Sequence, residues 1–262
     1  MNPSDANKRI ARNTLLLYIR MIFILIISLY TTRVVLNVLG VEDYGIYNVV
    51  CGFVSMFAIL NTCFSASINR YYNYELGKRN TIGVTSVYNT SLLIQGALAC
   101  FVFIIVECVG LWYLTNKMIL NYDRLTVAHW IFQFSVASLV ITIIQAPYIA
   151  AVMAYERMDF YAIASIVDAL LKLLLIVLLQ YLDTDKLLFY GILMFTISVV
   201  DFLLYFFYCK HKFYELKFHK GVNKTMLKSL MSFSGWNLLD PFSYMVRDQG
   251  TNMVLNSFFG TI

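Results

Sequence analysis

Eight ionisable side chains stand in or beside long apolar stretches of this 262-residue chain: Arg20, Arg33, Arg70, Lys172 and Arg247, with Asp168, Asp201 and Asp240. An arginine in a water-filled cavity can grip the oxygens of an anion such as a phosphate in two bonds while staying charged. Carboxylates at the same depth can take up a proton or a sodium ion, and ionisable groups placed so deep mark substrate or ion paths by default. Lys172 is the deepest, ~18 Å from Phe160 by helix rise. Asp168, four residues before it, shares its helix face in the favourable order for an ion pair. Each reading has a plainer alternative. Arg20 and Arg33 can snorkel to opposite surfaces, Arg70 can serve only to set topology, and Asp168 and Lys172 can simply neutralise each other. Asp240 precedes Pro241, which is expected to kink its helix. A polar stripe of Asn61, Ser65 and Asn69 fits helix packing equally well.

These groups must be positioned by helices that face lipid. Apolar residues make up 60% of the chain and charged ones 13%, against roughly 45–50% and about 25% in soluble domains. The apolar residues form runs such as 92–106 and 163–182 with no polar face, which a soluble helix would show. About 20 residues cross a ~30 Å hydrocarbon core, and that rule places spans at 14–38, 46–68, 86–113, 127–154, 160–182, 187–209 and 229–258. The expected fold is all-α: a polytopic membrane helix bundle, one six-helix lobe plus the first helix of a second. Residues 1–13 form a basic lead, 14–209 the six-helix lobe, 210–228 a basic loop, and 229–262 the seventh helix.

Thirteen of the 20 Lys and Arg fall in one alternate set of connections, three in the other and four inside spans. The positive-inside rule then puts the N-terminus in the cytoplasm. Trp112, Tyr113 and Trp130 flank one outer loop, Tyr181 and Tyr190 another, and Tyr205 and Tyr208 an inner one, as aromatic belts require. No cleavage site follows the first apolar stretch, so it reads as a retained helix rather than a secretory signal. The five cysteines lack CxxC spacing and read as small hydrophobes. His129, His211 and His219 join no triad or metal-ligand set, and there is no glycine-rich phosphate loop. No cofactor or metal is therefore expected, and without a basic patch on a soluble domain neither is nucleic acid.

The outer ends of the first and seventh spans read Val35-Leu36-Asn37 then Gly40, and Val254-Leu255-Asn256 then Gly260. Asn7-Lys8 and Asn223-Lys224 stand before them, each with a basic residue four positions after the Lys, Arg12 and Lys228. Two parallel six-helix halves around a substrate site are a recurrent transporter plan. On that reading the chain stops just inside its second half, and the missing C-terminal lobe is an expected partner.

The segments Arg33-Val-Val-Leu-Asn-Val-Leu-Gly40-Val-Glu-Asp-Tyr44-Gly45-Ile-Tyr47, Tyr74-Glu75-Leu76-Gly77-Lys78, Pro147-Tyr148 with Ala154-Tyr-Glu156-Arg157-Met158, and Phe233-Ser-Gly235-Trp236-Asn237 resemble the Wzx-type O-antigen and polysaccharide-repeat flippases. These belong to the multidrug/oligosaccharidyl-lipid/polysaccharide (MOP, MATE-like) exporter superfamily. The resemblance spans essentially the whole chain, with the Leu-Gly-x-x-x-Tyr-Gly turn its most specific element. It implies twelve to fourteen helices in two lobes, in the inner membrane of a bacterium. It also implies movement of an undecaprenyl-diphosphate-linked oligosaccharide between leaflets for O-antigen, capsule or exopolysaccharide synthesis, without enzymatic chemistry. Asp248-Gln249-Gly250 departs from the family pattern, which tends to begin with Asn. Two other functions stay open: a MATE-like multidrug/cation antiporter, in which carboxylates would face a cationic drug, and a membrane-embedded polysaccharide polymerase or ligase, which would need a larger outer loop than 114–126.

Overall fold

The computed structural model describes residues 3–116, 122–181, 185–216, 223–239 and 243. The described residues form seven helices: α1 (Pro3–Ser55), α2 (Ala58–Gly77), α3 (Thr81–Asn116), α4 (Tyr122–Ala154), α5 (Met158–Leu179), α6 (Lys186–Lys212) and α7 (Lys224–Asn237). The fold is an all-helical polytopic bundle. Five of these helices carry segments long and apolar enough to cross a membrane, from Ala11–Ser55 to Lys186–Lys212. Along α1, Leu15, Ile19, Ile22, Ile26 and Leu29 recur at helical spacing and are all exposed. Such a stripe is stable where the surroundings are lipid or another apolar surface.

The first expected span, 14–38, lies inside a helix that runs over 3–39 and breaks at Gly40; the second, 46–68, falls on the helix that resumes over 41–55 and on α2. The chain stays helical through a tight bend at Met56 and Phe57, whose N–H groups reach back three residues to Phe53 and Val54, and continues as α2. Gly40 has φ 78° and ψ 170°, a region open essentially to glycine alone. A Cβ there would meet no atom within 4 Å, so the requirement is purely one of backbone conformation. Gly40→Ala is expected to destabilise the protein by about 1–3 kcal/mol, read as a lower unfolding temperature in detergent. An unchanged temperature would show that the chain can turn there by another route.

Three apolar layers hold the bundle. The arm over 41–55 packs Ile46, Val50 and Val54 onto α3 and α4 through Val102, Val106, Ile131 and Phe132. The arm over 3–39 packs Val34 and Val35 onto Ile176 and Leu179 of α5 and Tyr190 of α6. The third layer joins α2, α3, α4 and α6 through Tyr72, Val87, Ala151 and Tyr205. Helices α3 and α4 approach closely at Gly110, where an added Cβ would lie 2.3 Å from the Phe132 ring. Small residues permit such approaches in membrane bundles.

Alternate connections gather at opposite ends of the bundle. At one end Arg124, in the first turn of α4, reaches Asp43 just past the Gly40 break at 3.1 Å and Asp185 at 2.9 Å. Asp185 in turn caps α6 by accepting the N–H groups of Leu187 and Leu188. At the other, basic end Thr85 donates to the Glu215 carbonyl, Tyr155 to the Glu215 carboxylate, and Arg157 to the Tyr208 hydroxyl. Burial and the Glu215 carboxylate both push the Tyr155 hydroxyl pKa well above its ordinary value, so Tyr155 stays protonated and donating.

Helix α7 starts where Asn223 accepts the N–H groups of Thr225 and Met226. That is strong N-capping. Its sequence counterpart Asn7 lies inside α1, so the two helices that match in sequence begin differently. The Asp240-Pro241 step, Arg247 and the matching outer end near Asn256 and Gly260 lie outside the described residues.

Candidate substrate and ion-coupling site

Tyr161, Ser165, Asp168 and Lys172 follow one another on α5 at intervals of four, three and four residues, so they form one polar stripe along an otherwise apolar helix. The Lys172 ammonium donates to Asp168 at 2.8 Å. Their side chains are 41% and 26% exposed respectively, so the pair lies at the edge of the packed interior. Lys172 thus remains open to a further partner.

Arg20 joins this stripe from α1. Its Nη1 donates to Ser165 Oγ at 3.2 Å, and its guanidinium carbon lies 4.5 Å from the Tyr161 ring centroid, within cation–π range. Arg20 is nine residues past Ala11, where the apolar segment begins, or ~14 Å along the helix. It turns inward instead of extending to the surface. Its Nε is buried with no hydrogen-bond partner, an arrangement that costs free energy until an acceptor arrives.

Asp201 on α6 closes the group. It accepts Gln145 Nε2 of α4 at 2.9 Å and lies within electrostatic reach of both Asp168 and Lys172. Tyr205, one turn further along α6, is buried and meets Phe160 of α5 edge to face at 5.3 Å. Four helices thereby bring together two cations and two carboxylates. Such a group can exchange the Asp168–Lys172 ion pair for an external anion, cation or proton, while the Arg20 Nε offers a donor with no partner inside the bundle. The structure brings together Arg20, Lys172, Asp168 and Asp201.

The other candidates lie apart. Arg33 is exposed and sits about 140° around α1 from Arg20 at 100° per residue. Arg70 is exposed on α2, with its guanidinium 4.1 Å from the Phe233 ring of α7. Arg247 and Asp240 fall outside the described residues. The stripe on α2 serves packing: Asn61 accepts Gln95 Nε2 at 3.2 Å, and Ser65 donates to the Asn61 carbonyl.

The sequence did not single out Gln145, Tyr161 or Ser165, and Tyr205, read from it as part of an aromatic belt, is buried instead. The spacing along α5 was a signal for two of them; the other two are revealed only when α4 and α6 come together. Nor did the sequence single out Glu107 on α3, which accepts Gln133 Nε2 at 3.1 Å and has its other oxygen buried without a partner. Among the described residues no group of three or more His, Cys, Asp or Glu is placed to hold a metal ion.

No protein-family model and no curated protein matches this chain. Solved structures do share its fold. One is a MOP superfamily transporter from Pyrococcus furiosus, described as having a binding pocket of reverse polarity that suggests a different function. It has TM-score 0.73 and 12% identity over 93% of this chain and 55% of that one. A MATE mutant aligns with TM-score 0.77 and 14% identity over 95% of this chain and 57% of its own. MATE in complex with MaD3S aligns with TM-score 0.75 and 16% identity over 97% and 57%. The chain thus spans somewhat over half the length of the structures it matches. Its fold is that of MOP and MATE transporters, and it is a multi-pass membrane protein.

Proposed function

We propose that this chain serves in transport, moving an undecaprenyl-diphosphate-linked oligosaccharide across the bacterial inner membrane for surface polysaccharide synthesis. The observation that carries this reading is Arg20. A guanidinium drawn into the bundle, with Nε buried and unpartnered and held over Tyr161, has the geometry and charge to donate to phosphate oxygens. Lys172, half-open beside it on the α5 stripe, supplies a second positive group. Asp168 and Asp201 are the groups that would take up a proton or sodium ion as the anion leaves. A second lobe, expected from the sequence match between the first and seventh spans, would complete the cavity, with Arg70 and Arg247 as further cations proposed along the path.

The same fold supports a second reading, a MATE-like antiporter for cationic compounds, in which Asp168 and Asp201 bind the substrate directly. Arg33, exposed and remote from the cluster, favours it. Pocket polarity separates the two functions: net positive character suits a diphosphate, net negative character a cation.

The basic end of the bundle is proposed to face the cytoplasm. Reporters fused within 74–82 and 212–224 are expected to report cytoplasm, and those at 40–44, 116–124 and 183–186 the outside; reversal at two or more sites would overturn the orientation. Function is tested in a strain lacking its polysaccharide flippase by expressing a version that carries both lobes; this chain alone is expected not to restore surface polysaccharide. Restored surface polysaccharide supports the first reading. Resistance to cationic dyes without restored polysaccharide supports the second.

A further inference from the structure

A second cavity lies apart from the deep cluster, at the basic end of the bundle. It measures about 660 Å³ and is walled by Tyr88 of α3, Tyr148 of α4, Phe206 of α6 and Phe213 just beyond it, with Lys210 and His211 at its rim. Lys210 is nine residues past Asp201 on α6, roughly 14 Å along the axis. The aromatic wall is fixed by contacts among its own members: the Tyr88 hydroxyl donates to that of Tyr148 at 3.4 Å, and Tyr148 meets Phe206 edge to face at 5.7 Å.

Among the described residues, the charged side chains beside this cavity are one-sided: Lys210 and His211 line it and Lys212 follows them, against one acid, Glu215. That acid is already engaged, since its carboxylate accepts the Tyr155 hydroxyl and its carbonyl accepts Thr85 Oγ1. The Tyr155 ring also stacks on Phe213 at 4.2 Å, which holds the segment in place. No ion pair neutralises Lys210 or His211 among the described residues; the Lys210 ammonium instead sits 5.7 Å from the Phe206 ring centroid. An aromatic pocket with a cationic rim, at the basic end of α3, α4 and α6, matches an amphiphile with an anionic head. Clusters of lysine immediately beyond a membrane helix attract anionic lipid headgroups, and the volume falls in the range of small-ligand sites.

We infer that this cavity binds the phosphate headgroup of an anionic membrane lipid, with Lys210 and His211 holding the phosphate and the Tyr88–Tyr148–Phe206 wall taking the adjoining glycerol and first acyl carbons. The site is independent of the deep cluster and of what that cluster transports.

The test uses the purified full chain in neutral detergent, with phosphatidylglycerol and phosphatidylcholine as probes and retained lipid read by native mass spectrometry. Phosphatidylglycerol is expected to stay bound in preference to phosphatidylcholine. Lys210→Gln should lower its retention about fivefold, the effect of roughly one interfacial charge, and His211→Gln should lower it independently. Lys224→Gln with Lys228→Gln removes more charge from α7, outside the cavity, and should leave retention unchanged. Loss of preference in the α7 variant equal to that in Lys210→Gln would overturn the cavity as the site, as would full retention in both cavity variants. Displacement of the lipid by millimolar inorganic phosphate would assign the site to a free phosphate and overturn the lipid as occupant. Unchanged retention in phosphate supports it.

Discussion

Arg20→Gln is expected to abolish polysaccharide export while leaving the protein folded in the membrane. Arg20 donates to Ser165 and lies over the Tyr161 ring, so the shorter, neutral glutamine gives up those two contacts and little other packing. If the guanidinium holds phosphate, removing a charged partner from a largely desolvated contact costs about 2 kcal/mol or more. That corresponds to at least roughly thirtyfold weaker binding. Arg20→Lys keeps the charge but loses the planar fork, and should fall between the two. The measurement is surface polysaccharide per membrane-inserted copy. Export at the wild-type level from Arg20→Gln would remove Arg20 from the substrate path and leave its inward turn as a packing device.

The second large effect concerns the Asp168–Lys172 pair. Asp168→Ala leaves the Lys172 ammonium without its 2.8 Å acceptor. An unpaired lysine at mid-membrane depth costs on the order of 2.5–3.5 kcal/mol on translocon scales, so the amount of inserted protein should fall severalfold. Asp168→Ala combined with Lys172→Ala removes both charges and should restore insertion. Export then separates the roles. A well-inserted double variant that exports normally makes the pair structural, whereas one that fails to export places Lys172 on the substrate or Asp168 on the coupling ion. Asp201 offers a third possibility for the single variant. It lies within electrostatic reach of Lys172, and Asp168→Ala with Asp201→Asn should therefore insert less well than Asp168→Ala alone.

The parts of this account that were legible in the sequence are those governed by local spacing. Asp168 and Lys172 are four residues apart on one helix, so their ion pair follows from helical geometry alone. The alternation of basic and less basic connections likewise anticipates which loops share an end. Arg20 was legible as a cation inside the first span that could snorkel to the surface, but not its partners, because Ser165 lies 145 residues away and only the docking of α1 against α5 brings them together. Arg124 illustrates the same limit. By sequence it is one outer charge among three, yet in the fold it joins Asp43 and Asp185 from two distant turns. The Leu-Gly-x-x-x-Tyr-Gly segment marked a turn, but not how short it is: a break confined to the single residue Gly40 leaves the flanking residues free to stay helical, so helix resumes at once and turns at 56–57.

The most direct measurement of the central claim is transport by the purified protein in vesicles, comparing a fluorescent undecaprenyl-diphosphate oligosaccharide with the cation ethidium. The account predicts that the diphosphate lipid equilibrates between leaflets at a rate that Arg20→Gln reduces by roughly thirtyfold or more, with no ethidium movement above protein-free vesicles. Ethidium efflux that persists in Arg20→Gln and disappears in Asp168→Asn, without movement of the diphosphate lipid, would contradict it.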